Sequence, residues 1–160
     1  MCDFELAWEV FGQIEAMWGR FTIDRAATAR TCKVYRQGRP VFNSRFSCRF
    51  SCGSDFRCQF DWADHFNYVN APFHLIPSVL HCIFEQQANA VVIVPHDTTA
   101  LWWPYVQHGS PGVRDIWTLP MKTGVVARGG QPCHPMLLRA VLFVMSDRVP
   151  DRRVCALVCP

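Results

Sequence analysis

The stretch NYVNAPFHLIPSVLHCIFEQQANAVVIV, residues 67–94, predicts a strand, a helix and a second strand in immediate succession. NYVN (67–70) has the length of a short strand, and the apolar residues over 75–86 recur at the spacing of one helical face. VVIV (91–94) is β-branched and continuously apolar, as expected for a central parallel strand that is buried on both faces. This strand–helix–strand unit predicts an α/β fold with a mostly parallel sheet.

The flanking segments extend this pattern in both directions. Residues 3–18 carry an apolar stripe at helical spacing, and Gly19 stands where a helix commonly ends. FTI (21–23) predicts a short strand. AVLFV (140–144) and VCALV (154–158) predict two late strands, which we expect to form an antiparallel C-terminal hairpin at the edge of the sheet.

The connecting segments are predicted as turns and loops. Residues 25–32 are compatible with a turn of helix, and residues 98–106 with a short helix or loop. Residues 33–61 mix basic residues with phenylalanines, and we predict a long functional loop with short strands there. Residues 107–136 are rich in glycine and proline and are predicted as a loop.

Composition limits the class of protein. The chain has 160 residues, of which 50% are apolar and 13% aromatic, so we expect one folded domain over residues 1–160. A net charge of +3 permits nucleic-acid binding without requiring it. The apolar runs are too short to cross a bilayer, so we expect no membrane partner.

The nine cysteines indicate the compartment. No secretory signal is recognised in residues 1–18, and an odd number of cysteines favours reduced thiols in the nucleus or the cytoplasm. Cys48, Cys52 and Cys58 lie close together, but their spacing matches no usual zinc motif. We therefore predict no metal site.

Polar residues stand at the ends of three predicted strands. Asp24 follows FTI, Asn70 ends NYVN, and His96 and Asp97 follow VVIV and its terminal proline. In open α/β sheets, ligands collect at the carboxyl ends of the strands. Simpler roles are also open: Asn70 could cap the following helix or form a turn with Pro72, Asp24 could cap residues 25–32, and His96 and Asp97 could be solvated loop residues.

Several short blocks follow one another in a recognisable order. They are FTIDRAATA (21–29), FNSRF (42–46), DW (61–62), VNAPF (69–73), LIPSVL (75–80), VVIVP (91–95) and LWWPYV (101–106). This series resembles the Dam-like, phage-type DNA adenine-N6 methyltransferase domains. It resembles more closely the related domain in the Pol polyproteins of DIRS-type tyrosine-recombinase retrotransposons. The resemblance covers residues 4–106 and fades beyond them.

The resemblance implies a Rossmann-like class I methyltransferase sandwich that uses S-adenosylmethionine. The family's catalytic motif is an Asn or Asp, two prolines and an aromatic residue, and it is matched by Asn70, Ala71, Pro72 and Phe73, with alanine in place of the first proline. In such a site the Asn oxygen and a backbone carbonyl accept the adenine N6 hydrogens and direct the nitrogen at the methyl group. The aromatic ring stacks on the flipped base.

The resemblance also assigns the cofactor site. Asp24 corresponds to the family's acidic residue near the cofactor, and Ala26 and Ala27 to the small residues that follow it. The Gly-rich loop usual in cofactor-binding folds is not found in the sequence. The segment that borders the family's active-site cleft is matched by Thr99, Trp102 and Trp103.

The basic loop is a candidate nucleic-acid contact. Its cations could bind phosphates and its phenylalanines could stack on bases. Equally, the phenylalanines could anchor the loop to the core while the cations stay solvated. The candidate phosphate contacts are Lys33, Arg36, Arg39, Arg45, Arg49 and Arg57.

Two hypotheses about function follow, and a decayed genomic copy is a third alternative. The first is an S-adenosylmethionine-dependent adenine-N6 DNA methyltransferase-like domain of a retroelement, acting on DNA or an RNA–DNA intermediate. The alternative is a catalytically inactive module of the same fold that binds nucleic acid or other Pol domains. The first hypothesis requires Asp24 and Asn70 to face one cleft.

Overall fold

A computed structural model describes residues 4–44, 55–120, 125–127 and 137–147, which form a mixed α/β fold. Short 3₁₀ turns lie at Phe56–Cys58, Trp62–Asp64, Phe73–Leu75 and Trp103–Tyr105. The strands and helices are β1 (Phe4–Leu6), α1 (Trp8–Trp18), β2 (Ile23–Asp24), β3 (Tyr35–Arg36), β4 (Arg39–Pro40), β5 (Phe66–Val69), α2 (Ile76–Glu85), β6 (Asn89–Pro95), β7 (Val113–Thr118), β8 (Val125–Ala127) and β9 (Leu138–Phe143).

The central sheet has five strands in the order β2-β5-β6-β9-β7. β2 pairs parallel with β5 and β5 with β6, whereas β9 runs antiparallel to both β6 and β7, so four of the five strands share one direction. Beyond β2, isolated parallel bridges join Asp24 to Phe42 and Ser44 to Asp55. The mostly parallel sheet predicted from residues 67–94 is confirmed.

The two helices cover opposite faces of this sheet. β6 is buried along its whole length, and its side chains alternate between two cores. Val92 and Val94 pack into the core on the α2 side, whereas Val91 and Ile93 pack into the core on the α1 side. This alternation explains the continuous apolar run, since a strand covered on both faces has no solvent side.

The helix predicted over residues 3–18 begins later than expected. Its N-cap is Ala7, because β1 occupies the preceding residues and pairs antiparallel with β8. The predicted end is confirmed: Gly19 adopts a φ of 108° and its N–H donates to the Glu15 carbonyl. Residues 25–32 form no helix but close a hydrogen-bonded turn, in which the Cys32 N–H donates to the Thr28 carbonyl.

Two predictions about the C-terminal half are wrong. The predicted loop over 107–136 contains β7 and β8. The strand predicted at 140–144 is β9, and it lies between β6 and β7 rather than at the sheet edge. The hairpin partner predicted at 154–158 lies outside the described residues. The sequence pattern does not predict β7, because a bulge between Val113 and Asp115 breaks the alternation of its side chains.

Candidate functional site

A cleft opens at the carboxyl ends of β2 and β5. Its empty volume is about 320 Å³, including space that is open to solvent. Asp24, Ala26 and Ala27 line it from the β2 side, and Tyr68 and Asn70 line it from the β5 side. The space inside it that can hold a water molecule is about 20 Å³, enough for about one water, so a ligand as large as a nucleoside would lie mostly in the open part of the cleft.

The strand register explains this meeting of residues. Asp24 is the parallel partner of Tyr68, and the Arg25 N–H donates to the Tyr68 carbonyl at 2.9 Å. Tyr68 and Asn70 are two residues apart and therefore point to the same face of the sheet. The resemblance assigns Asp24 to the cofactor and Asn70 to the target base, and these two residues line one cleft.

Asp24 is a buried carboxyl that organises its own loop. Only 2% of it is exposed, and its oxygens accept the backbone N–H groups of Lys33 at 3.1 Å and Ala26 at 3.4 Å. Burial raises the pKa of Asp24 to about 7, although these two N–H donors and the Lys33 charge oppose the shift. Asp24 caps no helix, and near neutral pH it can act as a hydrogen-bond donor or acceptor.

Tyr68 contributes a buried hydroxyl to the same cleft. The residue is 1% exposed, and its hydroxyl oxygen has no hydrogen-bond partner among the described residues. Burial raises the pKa of Tyr68, and the charges of Asp24 and Glu5 raise it further. An unpaired buried hydroxyl costs about 1–3 kcal/mol, so a ligand that pairs with it gains affinity.

Lys33 forms a charged wall of the cleft. It is 6% exposed, and its Nζ lies 3.4 Å from Glu5 Oε2. The same ammonium lies 4.2 Å from the centroid of the Trp8 ring. Both Lys33 and Glu5 line the cleft, so it presents an ion pair of a buried lysine and a half-buried glutamate to a ligand.

The predicted catalytic motif divides between the cleft and the core. Asn70 is half-buried and lines the cleft, whereas Ala71 is buried in the α2-side core. Pro72 and Phe73 are half-buried, and Phe73 packs against both cores. This packing favours an anchoring role for the Phe73 ring. Asn70 does not cap α2, whose N-cap is Leu75.

A buried arginine, which the sequence analysis did not identify, joins the segments beneath the cleft. Arg25 is fully buried, donating from Nε to Asn67 Oδ1 at 2.7 Å and from a terminal nitrogen to Asn43 Oδ1 at 2.6 Å. The latter nitrogen also lies 3.0 Å from Asp61 Oδ1 as an ion pair, without hydrogen-bond geometry. The guanidinium carbon lies 4.8 Å from the centroid of the Trp62 ring. Burial lowers the pKa of Arg25, and the Asp61 charge opposes this.

The basic loop is partly engaged in structural contacts. Arg57 binds Asp55 with two hydrogen bonds of 3.0 and 2.7 Å, which raise the pKa of Arg57 and lower that of Asp55. Phe56 is completely buried, as expected of an anchor, whereas Phe60 is 89% exposed. Arg57 is therefore held by a local ion pair.

Arg36 and Arg39 have a different environment. They lie opposite each other in the two-stranded ribbon formed by β3 and β4, and both are exposed. Neither forms an ion pair with a carboxylate in the described part of the chain. Arg45 and Arg49 lie outside the described residues.

The third strand end does not contribute to the cleft. Trp102 and Trp103, which the resemblance places at the border of the active-site cleft, are each 9% exposed and both belong to the α2-side core. The His96 ring meets Trp103 edge-on at 4.9 Å. Asp97 is exposed and accepts hydrogen bonds from Thr99, which lower its pKa. These contacts agree with a solvated loop at His96 and Asp97.

The described residues contain no group of three or more His, Cys, Asp or Glu side chains that could hold a metal ion. Among the clustered cysteines, Cys58 is an exposed free thiol, and Cys48 and Cys52 lie outside the described residues. None of the described helices is long and apolar enough to cross a membrane.

The fold and the cleft define a mixed α/β domain with a polar site at two neighbouring strand ends. Comparison with protein-family models, with curated proteins and with solved structures finds no match for this chain. Functional inference therefore depends on the geometry of the cleft and on the resemblance in the residues themselves.

Proposed function

We propose that this chain is an S-adenosylmethionine-dependent adenine-N6 DNA methyltransferase-like domain of the retroelement type. The observation that carries the proposal is that Asp24 and Asn70 line the same cleft, together with Ala26 and Ala27. A mostly parallel sheet with a helix on each face and a late antiparallel strand supports the finer assignment to the Rossmann-like class I methyltransferases.

The lining of the cleft is compatible with this cofactor. A buried carboxyl at Asp24 and an unpaired hydroxyl at Tyr68 suit a ligand rich in hydroxyl and amino groups. The small side chains of Ala26 and Ala27 allow a ligand to approach the backbone closely. When bound, the cofactor supplies an electrophilic methyl group.

Asn70 and Pro72 each have a defined task in this proposal. The Asn70 amide oxygen accepts a hydrogen of the adenine amino group, so that the nitrogen lone pair is directed toward the methyl group. Pro72 limits the backbone freedom of the turn that follows Asn70. Positioning is the main source of rate, since a reactive geometry held by fixed groups removes much of the entropic barrier.

Isothermal titration with S-adenosylmethionine tests the cofactor assignment. We expect micromolar affinity in the native chain and at least a tenfold loss in Asp24→Asn. The matched control is Asp64→Asn, which changes an exposed carboxylate outside the cleft and should bind normally. Circular dichroism verifies that each variant is folded, and absence of binding at millimolar cofactor would contradict the proposal.

A methyl-transfer assay tests the catalytic assignment separately. Asn70→Ala should abolish transfer of a radiolabelled methyl group to adenine-containing DNA while the calorimetric affinity for the cofactor is retained. Asn70→Asp, which conserves the acceptor and is allowed by the family motif, should preserve measurable transfer. If Asn70→Ala transfers methyl groups at the native rate, its assigned role is wrong.

The second candidate is an inactive module of the same fold that binds nucleic acid or other Pol domains. The observations that favour it are Ala71 in place of the motif's first proline and the exposed cations of Arg36 and Arg39, for which the described residues supply no carboxylate partner. This candidate predicts salt-dependent DNA binding by a chain that fails to bind the cofactor. The titration described above distinguishes the two candidates.

A further inference from the structure

Two exposed aromatic rings lie side by side near the cleft. Trp8 at the start of α1 is 55% exposed, and Tyr35 in β3 is 49% exposed. Their ring centroids are 6.3 Å apart and the ring planes are inclined by 43°. We call this pair the aromatic platform. Large exposed aromatic surfaces that are adjacent to each other commonly mark a binding surface.

The platform is held in place and adjoins the cleft. The Lys33 ammonium lies over the Trp8 ring at 4.2 Å, and the edge of the Trp8 ring meets Phe11 at 5.9 Å and 88°. Lys33 also lines the cleft, so one side chain connects the two sites. A ring fixed by a cation–π contact and an edge contact loses little freedom when a ligand stacks on it.

The ribbon that carries Tyr35 has an unbalanced positive charge. Arg36 and Arg39 are direct cross-strand partners, although like charges at such positions destabilise a strand pair. A two-residue turn fixes this arrangement, since Gln37 and Gly38 both have positive φ, at 51° and 72°. No described carboxylate pairs with either arginine. An anionic partner would relieve the repulsion.

We propose that the aromatic platform stacks on an unpaired base of single-stranded DNA and that Arg36 and Arg39 bind the adjacent phosphates. Tyr35 and the two arginines point to opposite faces of a ribbon only two strands wide, so a strand that crosses the ribbon meets the aromatic ring on one face and the cations on the other. Stacking needs exposed base faces, which single strands provide and duplexes do not.

This inference rests on the proposed function for its choice of DNA as the bound polymer. It extends that function by giving the DNA strand a path to the cleft. The base held by the platform would neighbour the one that enters the cleft, because Lys33 lies between the two sites. Binding to the platform does not require the cofactor, so the two proposals can fail independently.

Fluorescence anisotropy with a labelled single-stranded oligodeoxynucleotide tests the platform. Tyr35→Ala and Trp8→Ala should each weaken binding roughly tenfold or more, whereas Tyr35→Phe, which keeps the ring, should bind normally. The matched aromatic control is Tyr105→Ala, because Tyr105 is 53% exposed but lies in a 3₁₀ turn away from the cleft.

The salt dependence of the same assay tests the cations. The double variant Arg36→Gln with Arg39→Gln should lower the slope of log affinity against log salt concentration by roughly 1.4, as expected for two lost phosphate contacts on a single strand. Arg114→Gln removes an exposed arginine from β7, at the other edge of the sheet, and should leave the slope unchanged.

Several outcomes would overturn the inference. The first is an equal loss of DNA affinity in Tyr35→Ala and Tyr105→Ala, and the second is no loss of DNA affinity in either platform variant. The third is tighter binding of duplex DNA or of single-stranded RNA than of single-stranded DNA. A dimer that Trp8→Ala dissociates would identify the platform as a contact between copies of the chain instead. Cofactor titration on the native chain separates the proposals, since absence of binding there contradicts the proposed function and leaves the platform intact.

Discussion

The buried carboxyl of Asp24 predicts an unusual dependence of stability on pH. Its pKa is raised by burial from 3.8 to about 7, so the folded protein holds this proton more tightly than the unfolded chain does. The contribution of Asp24 to stability is therefore largest at low pH and declines as the pH rises through about 7. The substitution Asp24→Asn isolates this contribution to stability, because an asparagine side chain cannot ionise.

The magnitude follows from the two pKa values. A carboxyl with a pKa of about 7 rather than 3.8 loses about 4 kcal/mol when both states are fully ionised. About 2–3 kcal/mol of this loss falls between pH 5 and pH 8. The Asn variant carries a separate cost of about 1–3 kcal/mol, because its amide can accept only one of the two backbone N–H groups, but that cost does not vary with pH.

Urea unfolding at pH 5, 6, 7 and 8, followed by circular dichroism, measures the difference. We expect the native chain to lose about 2–3 kcal/mol relative to Asp24→Asn over this range. His65, whose pKa is lowered by burial, titrates in both proteins and cancels in the comparison. Asp147→Asn, which changes an exposed carboxylate outside the cleft, is the control and should track the native chain. A difference between native and Asp24→Asn that stays constant across the range would refute the reasoning.

The remaining predictions concern the supports of the site. Arg25→Met should lower the free energy of unfolding by about 3 kcal/mol or more in urea titrations, because it removes the cation that binds two buried amide oxygens and a carboxylate. Phe56→Ala should cost about 3–5 kcal/mol in the same assay, since the ring is completely buried. Gly38→Ala should cost about 1 kcal/mol through its positive φ alone, because the space around it is open. Cofactor binding at pH 6.5 should release protons from Asp24, and this release is measured by calorimetry in buffers of different ionisation enthalpy.

The centre of the fold could be predicted because its signals are local. A β-branched run, a helical apolar spacing and a proline in the first helical turn all lie within residues 67–94, and β5, α2 and β6 form there. The positions of Asp24 and Asn70 followed from the rule that parallel strands present their carboxyl ends together. Their meeting in one cleft required only that β2 and β5 be neighbours.

The rest of the sheet depends on long-range pairing, which local patterns do not encode. Phe4 pairs with Ala127, which is distant in sequence, so a helical spacing that includes residues 4–6 was misleading. β9 lies between β6 and β7, although β7 precedes β9 in sequence and showed no regular alternation. The role of Arg25 could not be predicted from local patterns either, because its hydrogen-bond partners Asn43 and Asn67 come from separate segments of the chain.

The site depends on the register of a very short strand. β2 has only two residues and Arg25 follows it directly, so that Asp24 faces the cleft whereas Arg25 faces the buried amides beneath it. On β5, Asn67 shares a side with Arg25, and Tyr68 shares a side with Asp24. A slip of one residue would exchange the two sides and bury Asp24 where the arginine belongs. Backbone hydrogen bonds hold β2 on both sides, from Thr22 and Arg25 to β5 and between Asp24 and residues 41–43. The Arg25 network adds side-chain hydrogen bonds that a slipped register would break, and so it supports the register on which the cleft depends.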